Sequence, residues 1–318
     1  MRLRKLANTL CRVGMLVYVA LILGDLTGLW RFSPWVLIPF ATALVALFFV
    51  ARRTGRKAAE KRRTPPPPLE VAVPVTGSWT ALNSPADKVP SHGTHGYGQT
   101  YAIDIVADPE PGSGGTRPAF AKVWPIVRRN RDFPAFDQPI LAVADATVVH
   151  AGGGQRDHLS RNSLPALGYL MLLESGVREI GGARFIVGNH LVLDLGDGTY
   201  AMYAHLRRGS LSVRAGDRVH AGQVLARCGN SGNSTEPHLH FQLMDHPDLD
   251  VAQGAPFTWQ GIGVPANGEA FGGVERQDRR ASAERVEEPD DDPAESRPPG
   301  GAFGGAFEGL PGSPPGHR

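Results

Sequence analysis

The chain has 318 residues, 42% of them hydrophobic, enough for one or two domains with a sizeable core. Lys and Arg total 33 against 31 Asp and Glu, and the resulting net charge of +2 excludes the strongly basic profile of a nucleic-acid binder. Two cysteines, Cys11 and Cys228, exclude a disulfide framework and leave the redox compartment open.

Residues 1–63 read as a membrane anchor. Arg2, Arg4, Lys5 and Arg12 precede an apolar stretch at about 13–30, and a second follows at about 34–50. Each is near the lower limit of roughly 17–25 residues for a spanning helix. Trp30 and Trp35 flank the break, as interfacial rings do. Asp25 weakens the first span unless it reaches the headgroups. A transmembrane hairpin is expected; a single anchor or a cleaved signal with its apolar core at 13–24 are the alternatives. Arg52, Arg53, Arg56, Lys57, Lys61, Arg62 and Arg63 follow the second stretch. Basic clusters on both sides of a hairpin favour the cytoplasm for both ends.

A Pro-rich linker, 64–75, stiffened by Pro65 to Pro68, leads into one globular domain at 76–265. Its pattern is mainly β, with strands expected at 101–106, 140–143, 147–150, 188–195, 200–205, 224–228 and 238–244. Gly196-Asp197-Gly198 marks a hairpin between two of them. Long stretches at about 108–138 and 152–185 interrupt the strands, the length at which loops often shape a cleft. The second has room for a short helix at 163–175. Residues 266–318 lose the apolar alternation, carry the 287–292 acidic run and a Gly/Pro/Phe end, and are expected to be disordered.

The chemistry concentrates on a few residues. His238 and His240, at i and i+2, face the same side of an extended strand, with Leu239 turned the other way. They follow a polar turn, Gly229 to Pro237. Tyr203-Ala204-His205-Leu206 ends another strand, and alternation puts His205 on the face of Tyr203. Asp104 interrupts the apolar run Tyr101-Ala102-Ile103, which costs stability unless the carboxylate is paired or metal-bound. The loop Ser91-His92-Gly93-Thr94-His95 lies just before it. Two imidazoles, a carboxylate and an open position make a common catalytic zinc site. His150, His158, His190, His220, His246 and His317 lack such surroundings and read as packing or surface residues.

These motifs resemble the lysostaphin-type (LytM-type) zinc metallopeptidases over residues 76–260. The resemblance rests on the Asp104 strand, Gly188-Asn189-His190-Leu191-Val192-Leu193-Asp194, Tyr203-Ala204-His205-Leu206, the 213–225 turn run, and the stretch from Gly229 through His238-Leu239-His240-Phe241. It implies an antiparallel β-sheet metallopeptidase core (duplicated hybrid motif-like) with a groove above it. It also implies a Zn²⁺ cofactor and a peptidoglycan peptide as substrate. Carried over by position, Asp104 and His240 would be zinc ligands, and His205 and His238 the unligated catalytic histidines. The family usually places its first ligand histidine four residues before the aspartate, and that position is Thr100. His92 is the favoured replacement, because Ser91-His92-Gly93-Thr94 resembles a variant with the histidine earlier in the chain; His95 is the alternative.

The function expected is a membrane-tethered zinc metalloendopeptidase that hydrolyses peptide bonds in bacterial peptidoglycan stems or cross-bridges. Its partners would be the wall peptide and, through the N-terminal helices, membrane lipid. The peptidase domain belongs on the cell-wall side of the cell membrane, against the bias of the flanking charges. The alternative is a non-catalytic domain of the same fold that regulates cell-wall hydrolases. A swinging-arm carrier needs a modifiable lysine at a hairpin tip, and the 213–225 turns have none.

Overall fold

The computed structural model describes residues 2–31, 33, 35, 37–46, 49, 66–109, 112 and 116–272. The basic run at 52–63 and the acidic and Gly/Pro-rich part of the C-terminal tail lie outside the described residues. Helix α1 spans Arg2–Leu26, and its window Thr9–Leu26 is long and apolar enough to cross a membrane by length and composition. The helix ends because Gly28 adopts φ 73°. The Gly28 N–H then reaches the Asp25 carbonyl at 3.1 Å and the Leu29 N–H the Gly24 carbonyl at 2.9 Å, a Schellman stop. The next helix, α2, is described over Leu37–Ala46. At 1.5 Å per residue this described part covers about half of a ~30 Å hydrocarbon layer, and the rest of the expected second span lies partly outside the described residues. The two helices touch, with Leu44 seated over Gly14 and the Tyr18 and Phe40 rings 6.0 Å apart.

The rest is mainly antiparallel β-sheet. Described strands are β1 (Leu69–Val71), β2 (Ser78–Leu82), β3 (Ile103–Ala107), β4 (Pro139–Leu141), β5 (Ala146–Gly152), β6 (His190–Asp194), β7 (Tyr200–Ala204), β8 (Arg218–Val219), β9 (Val224–Arg227), β10 (Leu239–Met244), β11 (Gly254–Ala255), β12 (Phe257–Trp259) and β13 (Ala270–Gly272). The large sheet runs β13-β2-β3-β10-β7-β6-β5-β8, with β11 also on β10. Two small ladders, β1 with β12 and β4 with β9, lie apart from it. The sheet domain thus draws on residues before 76 (β1) and after 265 (β13). The expected β6–β7 hairpin forms, with Gly196, Asp197 and Gly198 all at positive φ.

Alternation sorts the sheet into two faces. Ile103, Ile105, Leu191, Leu193, Tyr203, Leu239, Phe241 and Leu243 enter the main core. There the rings of Phe241, Phe257 and Trp259 meet at 5.1–6.0 Å. Each fully buried large side chain contributes about 1.5–3 kcal/mol. The opposite face carries Val192, Met202, Ala204 and Met244, covered by Val187, Leu249 and Ala252. Asp104 and His240 lie on this second face, since β3 and β10 pair them in register.

The 152–185 stretch is largely helical. Ser163 caps α3 (Leu164–Tyr169) by accepting from the Ala166 N–H at 3.3 Å. A π-turn (Leu170–Glu174), α4 (Ser175–Gly181) and α5 (Ala183–Val187) follow.

His190, which opens β6, is a buried packing residue stacked on His150 at 4.3 Å. Its Nδ1–H donates to the Gly188 carbonyl at 2.9 Å, and burial pushes its pKa down to about 4. The unfolded chain takes up this proton near pH 6.5, so stability falls as pH drops from about 6.5 to about 4. H190Q is expected to remove up to about 3 kcal/mol of that loss, read from denaturant unfolding across the window. An unchanged pH slope would contradict the assignment.

Candidate metal centre

The β3–β10 register sets the centre of the site. His240 stands opposite Asp104 on β3 and opposite Ala204 on β7. Its Nδ1 lies 2.9 Å from Asp104 Oδ1. On the other side, His92 Nε2 lies 3.0 Å from Asp104 Oδ2. The donor atoms of His92, Asp104 and His240 all fall within 4.8 Å of one another. His95 is not in this group; its Nδ1 faces Thr100 Oγ1 at 3.1 Å.

The outer partners suit one set of imidazole tautomers, the set that a metal-bound site would use. Gln242 donates through Nε2 to the Tyr97 carbonyl at 2.8 Å, so its Oε1 accepts from His240 Nε2 at 3.0 Å. That leaves His240 Nδ1 a bare lone pair aimed at Asp104. Ser91 Oγ donates to the Gln99 carbonyl at 3.4 Å and takes the His92 Nδ1–H at 3.0 Å, which leaves His92 Nε2 bare as well. Bare nitrogens facing carboxylate oxygens at about 3 Å repel unless a cation lies between them. This is the arrangement of metal ligands whose far N–H groups are held by other side chains.

Asp104 is the electrostatic centre. Burial alone would raise its pKa, but positive charge brought to it by the surrounding imidazoles, His92 and His238 foremost and then His240, outweighs burial and holds the carboxyl well below the usual carboxylate range. Asn83 Nδ2 also donates to Asp104 Oδ2 at 2.9 Å.

Two further imidazoles flank the donors. His238 donates through Nδ1 to the Glu236 carbonyl at 2.8 Å and points Nε2 towards Asp104 Oδ1 at 3.6 Å. His205 donates through Nδ1 to the Ser231 carbonyl at 2.8 Å. Its ring lies 4.7 Å from that of His238 and 5.8 Å from that of His240. Burial, reinforced by His238 and His240, lowers the His205 pKa well below its ordinary value, so the ring is neutral at neutral pH.

His205 corrects an expectation. Strand alternation would put it with Tyr203, whose side chain is in the main core. Instead His205 adopts φ 60°, just past the end of β7, and its ring turns to the opposite face beside His238 and His240. This left-handed conformation costs of order 1–3 kcal/mol in a residue with a Cβ. It is held by the His205 N–H on the Val187 carbonyl at 3.0 Å and the Gly229 N–H on the His205 carbonyl at 3.1 Å.

Close backbone approach supports that corner. A Cβ on Gly188 would lie 2.6 Å from the Ser231 carbonyl carbon, and one on Gly232 would lie 2.5 Å from the Gly188 nitrogen. Glycine at both positions lets the Ser231 carbonyl reach His205. The strap before His238 is gripped by the two long insertions: Glu236 pairs with Arg117 and accepts from Asn162 Nδ2 at 3.0 Å. A cleft of about 60 Å³ beside Asp104 and His238 is lined by Leu82, Asn83, Val106, Thr235 and Glu236.

Asn83 and Gln242 are absent from the expectations above, and Ser91 enters them only as part of the loop that carries His92. Gln242 had a readable signal, since it continues the polar face of His238 and His240 at a spacing of two. Asn83 and Ser91 sit in turns whose path is set by tertiary contacts.

Residues 171–252 match the model of Peptidase family M23, a span that includes His205, His238 and His240 and stops short of His92 and Asp104. The glycyl-glycine endopeptidase ALE-1 of Staphylococcus capitis is 42% identical over 74 residues, 23% of this chain and 18% of that protein. The peptidoglycan DD-endopeptidase ShyA of Vibrio cholerae is 37% identical over 78 residues, 24% of this chain and 16% of that protein. The chain therefore spans less than a fifth of the length of either relative. The catalytic domain of lysostaphin from Staphylococcus simulans aligns structurally over 58% of this chain and 86% of its own, at 19% identity and a TM-score of 0.29.

Removing the Gln242 acceptor should free the His240 ring. Q242M is expected to weaken zinc binding about 10–100-fold with the fold retained, measured by competition against a chelator. Unchanged affinity would show that Gln242 does not orient the ligand.

Proposed function

The chain carries a peptidase M23 domain, and from that premise we propose that it is a zinc metalloendopeptidase acting on peptide bonds of bacterial peptidoglycan. The observation that carries this reading is the convergence of three donor side chains on one point. His92 Nε2, Asp104 and His240 Nδ1 would hold Zn²⁺. When bound, zinc supplies a Lewis acid that polarises a carbonyl and acidifies water.

The remaining chemistry falls to this chain's other side chains. His205 and His238 each fix their Nδ1–H on a backbone carbonyl, so each keeps Nε2 as a site to take up or deliver a proton. A neutral His205 is ready to accept one; once protonated, either ring can stabilise a developing oxyanion. The complete donor set favours catalysis over a binding-only domain. The relatives' names, a glycyl-glycine endopeptidase and a peptidoglycan DD-endopeptidase, support wall peptide as the substrate class.

In the organisation we propose, residues 1–63 anchor the chain, 64–75 link, and the domain centred on 76–265 works on the cell-wall side of the membrane. The support for the anchor is the length and apolar character of α1.

H92A is expected to lose zinc and hydrolysis, whereas H95A retains both, measured by metal analysis and by release of soluble peptide from purified peptidoglycan. H205A should retain zinc while hydrolysis falls by about 10²–10⁴-fold. Loss of zinc from H205A, or full activity in H92A, would overturn these roles.

A further inference from the structure

Outside the N-terminal helices, most of the exposed large apolar side chains among the described residues lie on the two long insertions. Val123 and Trp124 are exposed on the first, Trp124 at 79%. Met171, Leu172, Leu173 and Val177 are exposed on the second, Leu172 at 83%. The insertions are stitched into one unit. The Ala121 N–H donates to the Asn162 carbonyl at 3.0 Å, the Leu164 N–H to the Ala121 carbonyl at 3.1 Å, and the Ser163 hydroxyl to the Ile126 carbonyl at 2.7 Å. Large apolar side chains exposed in this number on one joined unit mark an interaction site.

Three observations identify what covers it. Helix α1 packs alongside α4, within the second insertion. The outward residues of α1, Leu16 and Leu23 among them, are themselves exposed and need an apolar surrounding. Lipid around α1 therefore reaches the insertion without a gap. The first insertion also exposes Lys122, Arg129 and Arg131 beside its apolar residues, a charge pattern suited to anionic headgroups. Trp124, with an apolar ring and a polar N–H, suits the boundary between headgroups and acyl chains.

We propose that the insertions form a bilayer-docking face, in which Trp124 and the 171–177 segment enter the headgroup boundary of an anionic membrane. The proposal rests on the reading of α1 as a membrane helix. It adds a second lipid contact, made by the catalytic domain itself, that confines the site to wall peptide close to the membrane.

The test uses the full chain in nanodiscs containing phosphatidylglycerol, in a C11S background. Nitroxide labels are placed through W124C, L172C, L16C and V149C, and circular dichroism checks each fold. Electron paramagnetic resonance then reads accessibility to oxygen and to an aqueous nickel chelate. The W124C and L172C labels are expected to show several-fold lower chelate accessibility than V149C and to approach L16C. Chelate access at W124C and L172C with L16C protected overturns the docking face and leaves the anchor standing; access at all three overturns both. Dipolar broadening between copies would instead identify a self-association face and also overturns the proposal.

Discussion

The pairing of β3 with β10 is the constraint on which the site depends. It places His240 directly opposite Asp104, with both side chains on the face away from the aromatic core. A slip of one residue would bury the carboxylate against Phe241 and turn Ile105 towards the site. The apolar residues on the other face, Ile103, Ile105, Leu239, Phe241 and Leu243, make such a slip costly. Packing in the core thus fixes the geometry of the polar face.

Around that pair, the chain spends hydrogen bonds on orientation. Gln242 and Ser91 hold the far nitrogens of the two proposed ligand imidazoles, His240 and His92, and backbone carbonyls of Glu236 and Ser231 hold Nδ1 of His238 and His205. Four rings are therefore each held through one nitrogen, with the other turned towards the site. Gly98 belongs to the same scheme, because a Cβ there would lie 2.6 Å from Gln242 Nε2. The strained backbone of His205 is held by the Val187 and Gly229 contacts on either side.

Much of this was legible in the sequence, for identifiable reasons. The alternation of Leu239, Phe241 and Leu243 against His238 and His240 gave both the strand and its polar face. Gly196-Asp197-Gly198 specified the β6–β7 hairpin, because its positive φ values suit these residues. What stayed hidden depends on three-dimensional closure. The ring of His205 leaves the alternation through one left-handed residue, and no period of two can show that. Asn83 acts through a turn residue 21 positions from Asp104. The short strands β1, β12 and β13 are defined by their partners more than by pattern. At the N-terminus α1 has the length for one span, and the second apolar stretch is described only in part.

The central claim is that two imidazoles and one carboxylate of this chain bind a single zinc ion, with His205 and His238 outside its ligand shell. X-ray absorption at the zinc edge of the full-length protein tests it most directly. The account predicts a shell of nitrogen and oxygen at about 2.0–2.2 Å whose outer scattering fits two imidazoles and contains no sulfur. A shell with three or four imidazoles, or one with sulfur, would contradict it.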